Sequence, residues 1–80
     1  MLTIEKDSKA EEVCIHGTPE SLRELAKKLW VIAEKSESIG KCQEQLTTEM
    51  GADPELSTKL QGEAGKYSVI NKLTICGRAT

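Results

Sequence analysis

Apolar residues recur between positions 18 and 36 with the spacing of an amphipathic helix. They fall at i, i+3, i+4 and i+7 intervals, which places them on one stripe of a helix and puts Val31 on the other side. Thr18 can cap the first turn with its hydroxyl, and Pro19 suits the first helical position, where a backbone N–H would have no partner. The pattern predicts one helix over about 18–36 that buries this stripe, which consists of Leu22, Leu25, Ala26, Leu29, Ile32 and Ala33.

Before the helix, two short runs alternate apolar and polar residues with the period of two that is typical of strands. Residues 2–6 and 12–16 flank the polar turn Asp7–Ala10, which predicts an antiparallel hairpin. In this hairpin we expect Val13 and Ile15 to point inward, toward the core.

After the helix, two further runs predict strands. Residues 41–50 alternate weakly, and residues 67–76 form the strongest strand pattern in the chain. Between them, residues 51–65 predict a long loop because they are rich in glycine and polar residues. Leu56 and Leu60 are the large apolar residues of this loop, so we expect them to hold it against the body of the protein.

The element order β-β-α-β-β predicts an α+β fold over residues 1–80 as a single domain. Its simplest form has two layers, with the helix packed on one face of a mainly antiparallel four-stranded sheet. The last strand is apolar enough to lie centrally. One helix covers only one face of such a sheet, so the other face meets water or a partner. The residues expected on that outer face are Thr3, Glu5, Cys14, His16, Ile70, Lys72, Thr74 and Cys76.

Charge and hydropathy exclude several classes of partner. The formal net charge is −2, and no cluster of Lys and Arg supports a nucleic-acid or membrane-surface partner. No apolar run approaches the roughly 20 residues of a membrane span, and the first residues lack the apolar core of a signal peptide. We therefore expect a cytoplasmic protein with neither a nucleic-acid partner nor a membrane partner.

The cysteines and the single histidine raise the question of metal or thiol chemistry. The chain has three cysteines without CxxC spacing, which favours reduced thiols over a disulfide framework. Cys14 and His16 share one face of a strand, and Cys76 could join them as a zinc ligand. A catalytic thiol would also need an orienting group, and the sequence offers none. We therefore predict no catalytic residue, no metal and no cofactor, and keep the metal or thiol site as a minor alternative.

The predicted outer face is also the expected contact surface for a partner. Only Glu5 and Lys72 are charged on it, and the centres of protein interfaces are depleted of charge. The candidate contact residues are Cys14, His16, Ile70, Lys72, Thr74 and Cys76. In the long loop, Asp53, Glu55 and Glu63 predict a weak acidic contact patch, with a solvated loop as the alternative.

The order of features also resembles a known family. The stretch at 17–29 matches a Gly-x-Pro-x-Ser-Leu-x-x-Leu-Ala pattern before the helix, and 68–77 matches a closing strand of the form Val-x-x-Leu-x-Ile-x-Gly with a shifted first position. With these residues the chain resembles immunity-protein family thirty-two of the bacterial polymorphic toxin systems. It departs from the family pattern at Met50–Ala52, at Gln43 and Gln45, and at the two residues that flank Gly77.

The resemblance implies a small bacterial protein that neutralises a cognate toxin by direct binding and has no enzymatic activity. It supplies no catalytic residues. The alternative is a structural or regulatory protein that associates with itself. Both hypotheses predict a protein partner. The partner is a toxin domain in the first hypothesis and a second copy of the chain in the alternative.

Overall fold

A computed structural model of the chain describes residues 1–51 and 55–80. It confirms the predicted α+β class, with one helix and two small antiparallel sheets. In chain order, the elements are β1 (Leu2–Asp7), β2 (Val13–Gly17), α1 (Pro19–Ile39), β3 (Lys41–Thr47), β4 (Tyr67–Val69) and β5 (Lys72–Arg78).

Both ends of α1 are set by local signals. At its start, the Thr18 hydroxyl accepts the backbone N–H of Ser21 at 3.2 Å, as the sequence predicts. At its end, Gly40 adopts a φ of 91° and donates its N–H to the Ser36 carbonyl. The left-handed conformation is easily adopted by glycine, so the helix continues to Ile39, beyond the predicted end at 36. Among the described residues, no helix is both long and apolar enough to cross a bilayer.

The predicted four-stranded sheet is replaced by two sheets with the orders β2-β1-β4 and β3-β5. The expected last strand divides at Ile70 and Asn71, so that β4 pairs with β1 while β5 pairs with β3. Consecutive residues at this division bond to different sheets. The Ile70 N–H donates to the Ile4 carbonyl at 2.7 Å and continues the β1–β4 pairing, whereas the Asn71 carbonyl accepts the Thr48 N–H at 3.1 Å and continues the β3–β5 pairing. The change of direction lets one segment serve both sheets.

The core lies between the helix and the strands. Its buried members are Leu2, Ile4, Leu25, Leu46 and Leu56, and the partly buried residues packed against it are Ile70, Leu73 and Ile75. The burial of Leu56 confirms that this residue holds the long loop against the body. Ile70 was predicted to face outward, and that prediction is wrong because the chain turns at this residue and packs its side chain on the core.

Strand β1 is buried on both of its faces, contrary to the prediction that Thr3 and Glu5 point to the outside. Both residues are 0% exposed. The segment after Leu56 crosses over this face of the sheet. There the Thr3 hydroxyl donates to the Lys59 carbonyl at 3.5 Å. A single stretch of loop therefore covers what the strand pattern alone assigned to solvent.

Strand β2 shows the opposite error. Val13 and Ile15 were predicted to be buried, and they are 62% and 49% exposed. They do lie on the helix side of the sheet, because Ile15 stands directly opposite the buried Ile4. The helix packs mainly on β3 and β5, however, and leaves most of β2 uncovered.

Candidate protein-binding surface

One flank of the helix is apolar and exposed. Leu22, Leu29 and Trp30 are 43%, 45% and 68% exposed, although the first two belong to the stripe that was predicted to be buried. Residues three and four apart are neighbours on a helix, so these side chains form a continuous area with the two exposed alanines between them. We call this area the helix apolar face; it consists of Leu22, Ala26, Leu29, Trp30 and Ala33.

The exposed residues of β2 lie beside this helix face. Strand and helix approach each other at Gly17, where an added Cβ would lie 3.2 Å from atoms of Leu2 and Leu22. Farther along β2, Ile15 and Val13 are exposed on the face of the sheet that carries the helix, because they share that face with the core residue Ile4. The helix apolar face, Val13 and Ile15 are together called the apolar surface.

The backbone of β2 is also available for pairing. Asp7 donates its N–H to the Glu12 carbonyl and Thr18 donates to the Met1 carbonyl, so the even-numbered residues of this segment face β1. Since successive residues of an antiparallel strand direct their N–H and C=O groups to opposite sides, Val13, Ile15 and Gly17 direct theirs away from β1. Within residues 1–51 and 55–80, β2 pairs with no other strand. Its outer edge is therefore open.

The apolar surface falls in the size range of patches that are often functional. The exposed fractions of Val13, Ile15, Leu22, Leu29 and Trp30 correspond to an area on the order of 500 Å². The largest apolar patch on a typical monomer is about 300–600 Å² and is often functional. Because the surface combines this area with an open strand edge, it has the properties expected of a protein-binding site.

The predicted contact residues Cys14 and His16 lie on the other side of β2, facing away from the helix. His16 Nε2 is 3.4 Å from Glu5 Oε1, and the Glu5 carboxylate also accepts the backbone N–H groups of Gln61 at 2.6 Å and Gly62 at 3.1 Å. Glu5 is therefore engaged in holding the long loop across the sheet. His16 is half-buried at the margin of this contact.

The Glu12 carboxylate accepts hydrogen bonds from both Tyr67 and Cys14. The Tyr67 hydroxyl donates to Glu12 Oε1 at 2.6 Å and the Cys14 thiol donates to the same oxygen at 3.3 Å. The hydrogen bond to Glu12 raises the pKa of Tyr67 to about 12 and also raises the pKa of Cys14. The same two bonds, that of Tyr67 first, lower the pKa of Glu12. A thiol with a raised pKa is the opposite of an activated nucleophile.

The other predicted contact residues, Lys72, Thr74 and Cys76, lie together on the outer face of β5. Thr74 and Cys76 stand opposite Gln45 and Gln43 of β3, and Cys76 Sγ is 3.8 Å from Gln43 Oε1. This face is more strongly charged than the sequence predicted, because its ends carry three cations: Lys41, Lys72 and Arg78. It is a polar, solvated face, whereas the apolar surface lies elsewhere.

The acidic patch predicted in the long loop can be located only in part. Asp53 lies outside the described residues. Glu55 is exposed and accepts the backbone N–H of Gly51 at 3.2 Å. Glu63 is exposed as well, and its backbone carbonyl accepts the N–H groups of Lys66 and Tyr67.

The structure does not bring together the three residues considered for metal or thiol chemistry. Cys14 and His16 lie on the first sheet, whereas Cys76 lies on the second. In the part of the chain that is described, no group of three or more His, Cys, Asp or Glu residues is placed to hold a metal ion. All three cysteines are free thiols.

Comparison of the chain with protein-family models, with curated proteins and with solved structures finds no match. The resemblance to an immunity-protein family therefore stays a hypothesis.

Sequence reasoning placed the candidate contact surface on the side of the first sheet that faces away from the apolar surface. It missed the apolar surface because it assigned every apolar residue of the helix stripe and of β2 to the core. One signal was available: Trp30 flanks the stripe and, with Ala26 and Ala33, makes it wider than the buried contact of one helix requires.

Proposed function

We propose that this protein acts by binding another protein chain through its apolar surface and catalyses no reaction. The observation that carries the proposal is the exposure of Leu29 and Trp30 on the helix and of Ile15 on the sheet face that carries the helix. Uncharged aromatic and aliphatic side chains of this kind form the centres of protein interfaces, where charged residues are depleted. Trp30 is the strongest candidate for an energetically dominant contact, because tryptophan is enriched among such residues.

A toxin domain is the partner we propose on the basis of the family resemblance. In this proposal the protein neutralises the toxin by occupying its surface, as the immunity-protein resemblance implies. Gly17, Pro19 and Leu22, which carry part of that resemblance, lie where β2 meets the helix, at one end of the apolar surface. The proposal therefore connects the resembling residues with the surface that has room for a partner.

The test begins with capture of partners from the source cell and continues with the purified pair. Binding of an identified partner is measured by calorimetry for the wild type, for Trp30→Ala and for Leu29→Glu. We expect each variant to weaken binding by about tenfold or more, because truncating or charging a central contact removes a dominant part of the interaction. If the partner is a toxin domain, coexpression of the wild type should also restore growth of the cells that produce it.

Val31→Glu is the matched control. Val31 is 43% exposed, close to the 45% of Leu29, and lies on the other side of the helix. Val31→Glu should leave unchanged both the affinity for the partner and the growth of the cells that produce the toxin. Equal affinities for Leu29→Glu and Val31→Glu would contradict the proposed binding surface.

A structural or regulatory homo-oligomer is the second candidate function. The open edge of β2 favours it, because an unpaired strand edge can pair with the same strand of another copy. In this case the partner of the apolar surface is the protein itself.

A further inference from the structure

We propose that β2 pairs with β2 of a second copy in antiparallel orientation, about a two-fold axis that passes beside Ile15. The inference rests on the second candidate function, self-association, since it places a second copy on the apolar surface. It goes beyond that candidate by fixing the strand register.

The first argument is the self-complementarity of the strand edge. Val13, Ile15 and Gly17 direct their free N–H and C=O groups outward at alternate positions. When two such strands run antiparallel about an axis at Ile15, each Ile15 exchanges both backbone hydrogen bonds with its copy, and Val13 pairs with Gly17. The exposed edge is satisfied along its whole length by a second identical edge.

The second argument is the absence of the features that protect strand edges. Natural edge strands are blocked by Lys, by Pro, by inward-pointing charges, by bulges or by a covering element. The sequence of β2, Val13–Gly17, contains neither Lys nor Pro and has no Asp, Glu or Arg. Its register with β1 is regular over all five residues, so no bulge bends it away. The two copies of β2 would therefore bring no Lys, Arg, Asp or Glu side chains of like charge together across the two-fold axis.

The third argument is the match between the apolar surface and the requirements of a dimer. An axis perpendicular to the sheet places both helices on the same side, so the two helix apolar faces flank the paired Val13 and Ile15 side chains. Each copy contributes on the order of 500 Å² of apolar surface, and a standard interface buries about 800 Å² per partner. The rest of that area would come from polar residues around the apolar centre, which is the usual arrangement in protein interfaces.

The first measurement is the mass of the protein in solution by sedimentation equilibrium. The chain has a mass of 8.8 kDa, and we expect the wild type to sediment with about twice this value. Ile15→Lys should raise the dimer dissociation constant about tenfold or more, because it places two like charges at the axis. Ile39→Lys is the matched control, since Ile39 is 73% exposed near the end of the helix, and it should stay dimeric.

The second measurement tests the register. The proposed pairing puts Cys14 opposite His16 of the second copy as a non-hydrogen-bonded pair, with Cα atoms about 4.5 Å apart. This spacing lies within the range of disulfides. Under mild oxidation, His16→Cys should therefore form a covalent dimer, and His16→Cys combined with Cys14→Ser should not. Thr74→Cys is the matched control, because Thr74 is exposed on the second sheet, and it should give no comparable cross-link.

The outcomes separate this inference from the proposed function. A wild type that stays monomeric at high concentration overturns the β2 pairing, and so does a dimer that Ile15→Lys leaves intact. Binding of a different protein that Leu29→Glu abolishes would still support the proposed function in that case. Circular dichroism of each variant verifies that a lost dimer does not reflect a lost fold.

Discussion

Ile4 and Ile15 stand directly opposite each other on β1 and β2, yet Ile4 is 1% exposed and Ile15 is 49% exposed. Their side chains leave the sheet on the same face, so the difference arises from what lies above them. Ile4 is covered by the core cluster that includes Leu25 of the helix and Leu56, whereas Ile15 lies outside this cluster. The boundary of the core therefore runs between two paired residues, and the apolar surface begins at that boundary.

The first prediction concerns the two sides of the helix. Leu25 is 8% exposed and belongs to the core, so Leu25→Ala should lower the free energy of unfolding by about 2–5 kcal/mol. Val31→Ala, on the other side, should lower it by less than about 0.5 kcal/mol. Urea unfolding of the two variants provides the comparison. Similar losses would mean that the helix is oriented differently.

The second prediction concerns the contact of Gly77 with the helix. A Cβ at Gly77 would overlap Ser36 Oγ and lie 3.1 Å from Ile32 Cγ2. Gly77→Ala should therefore destabilise the protein by about 1–3 kcal/mol, the usual cost of overpacking a core. The Ser36 hydroxyl is fixed by donating to the Ile32 carbonyl at 2.7 Å, so it cannot move away without losing this bond. In thermal unfolding, Ser36→Ala should recover part of the loss in the double variant, and a neutral Gly77→Ala would contradict the close packing.

The third prediction concerns Glu5, which holds the long loop. Glu5→Ala removes the acceptor of the Gln61 and Gly62 N–H groups, and each donor left without a partner costs about 1–3 kcal/mol. Chemical unfolding should show that loss, and amide hydrogen exchange at residues 61 and 62 should become faster than in the wild type. Glu63→Ala is the control because this side chain is exposed, and it should leave both measurements nearly unchanged. Unaltered exchange in Glu5→Ala would show that the loop is held in another way.

The fourth prediction concerns the pH dependence of Tyr67, the only tyrosine of the chain. Its hydrogen bond to Glu12 favours the protonated phenol, so ultraviolet titration should give a pKa of about 12 against an ordinary value of 10.0. The stability from this bond is present below pH 10.0 and is lost as the pH rises toward about 12. The pKa of Glu12 is lowered from its ordinary value of 4.5, so this carboxylate contributes to folding stability above pH 4.5. That contribution disappears as the pH falls through the lowered pKa. Glu12→Ala should return the Tyr67 pKa toward its ordinary value, whereas Glu11→Ala should leave it raised.

Local signals in the sequence were sufficient for the helix and the hairpin, whereas the single strand predicted over residues 67–76 is divided into β4 and β5. Thr18 and Pro19 predict the start of the helix, and the alternating runs predict the hairpin and the class of fold, because these features act over a few neighbouring residues. The end of the helix was predicted three residues early, although Gly40 is the residue that ends it. Of the candidate contact residues, Ile70 packs on the core and Asp53 lies outside the described residues, whereas the others stay predictions.

Tertiary structure decided which faces are covered. A period of two shows that Ile4 and Ile15 share one face and that Thr3 and Glu5 share the other, but it carries no information about which other segment packs on each face. Here the segment after Leu56 buries Thr3 and Glu5, while the helix stops short of Val13 and Ile15. Such contacts join residues more than fifty positions apart in the chain. The apolar surface is therefore a property of how the elements pack, because each of its residues would fit a buried core equally well in a different packing.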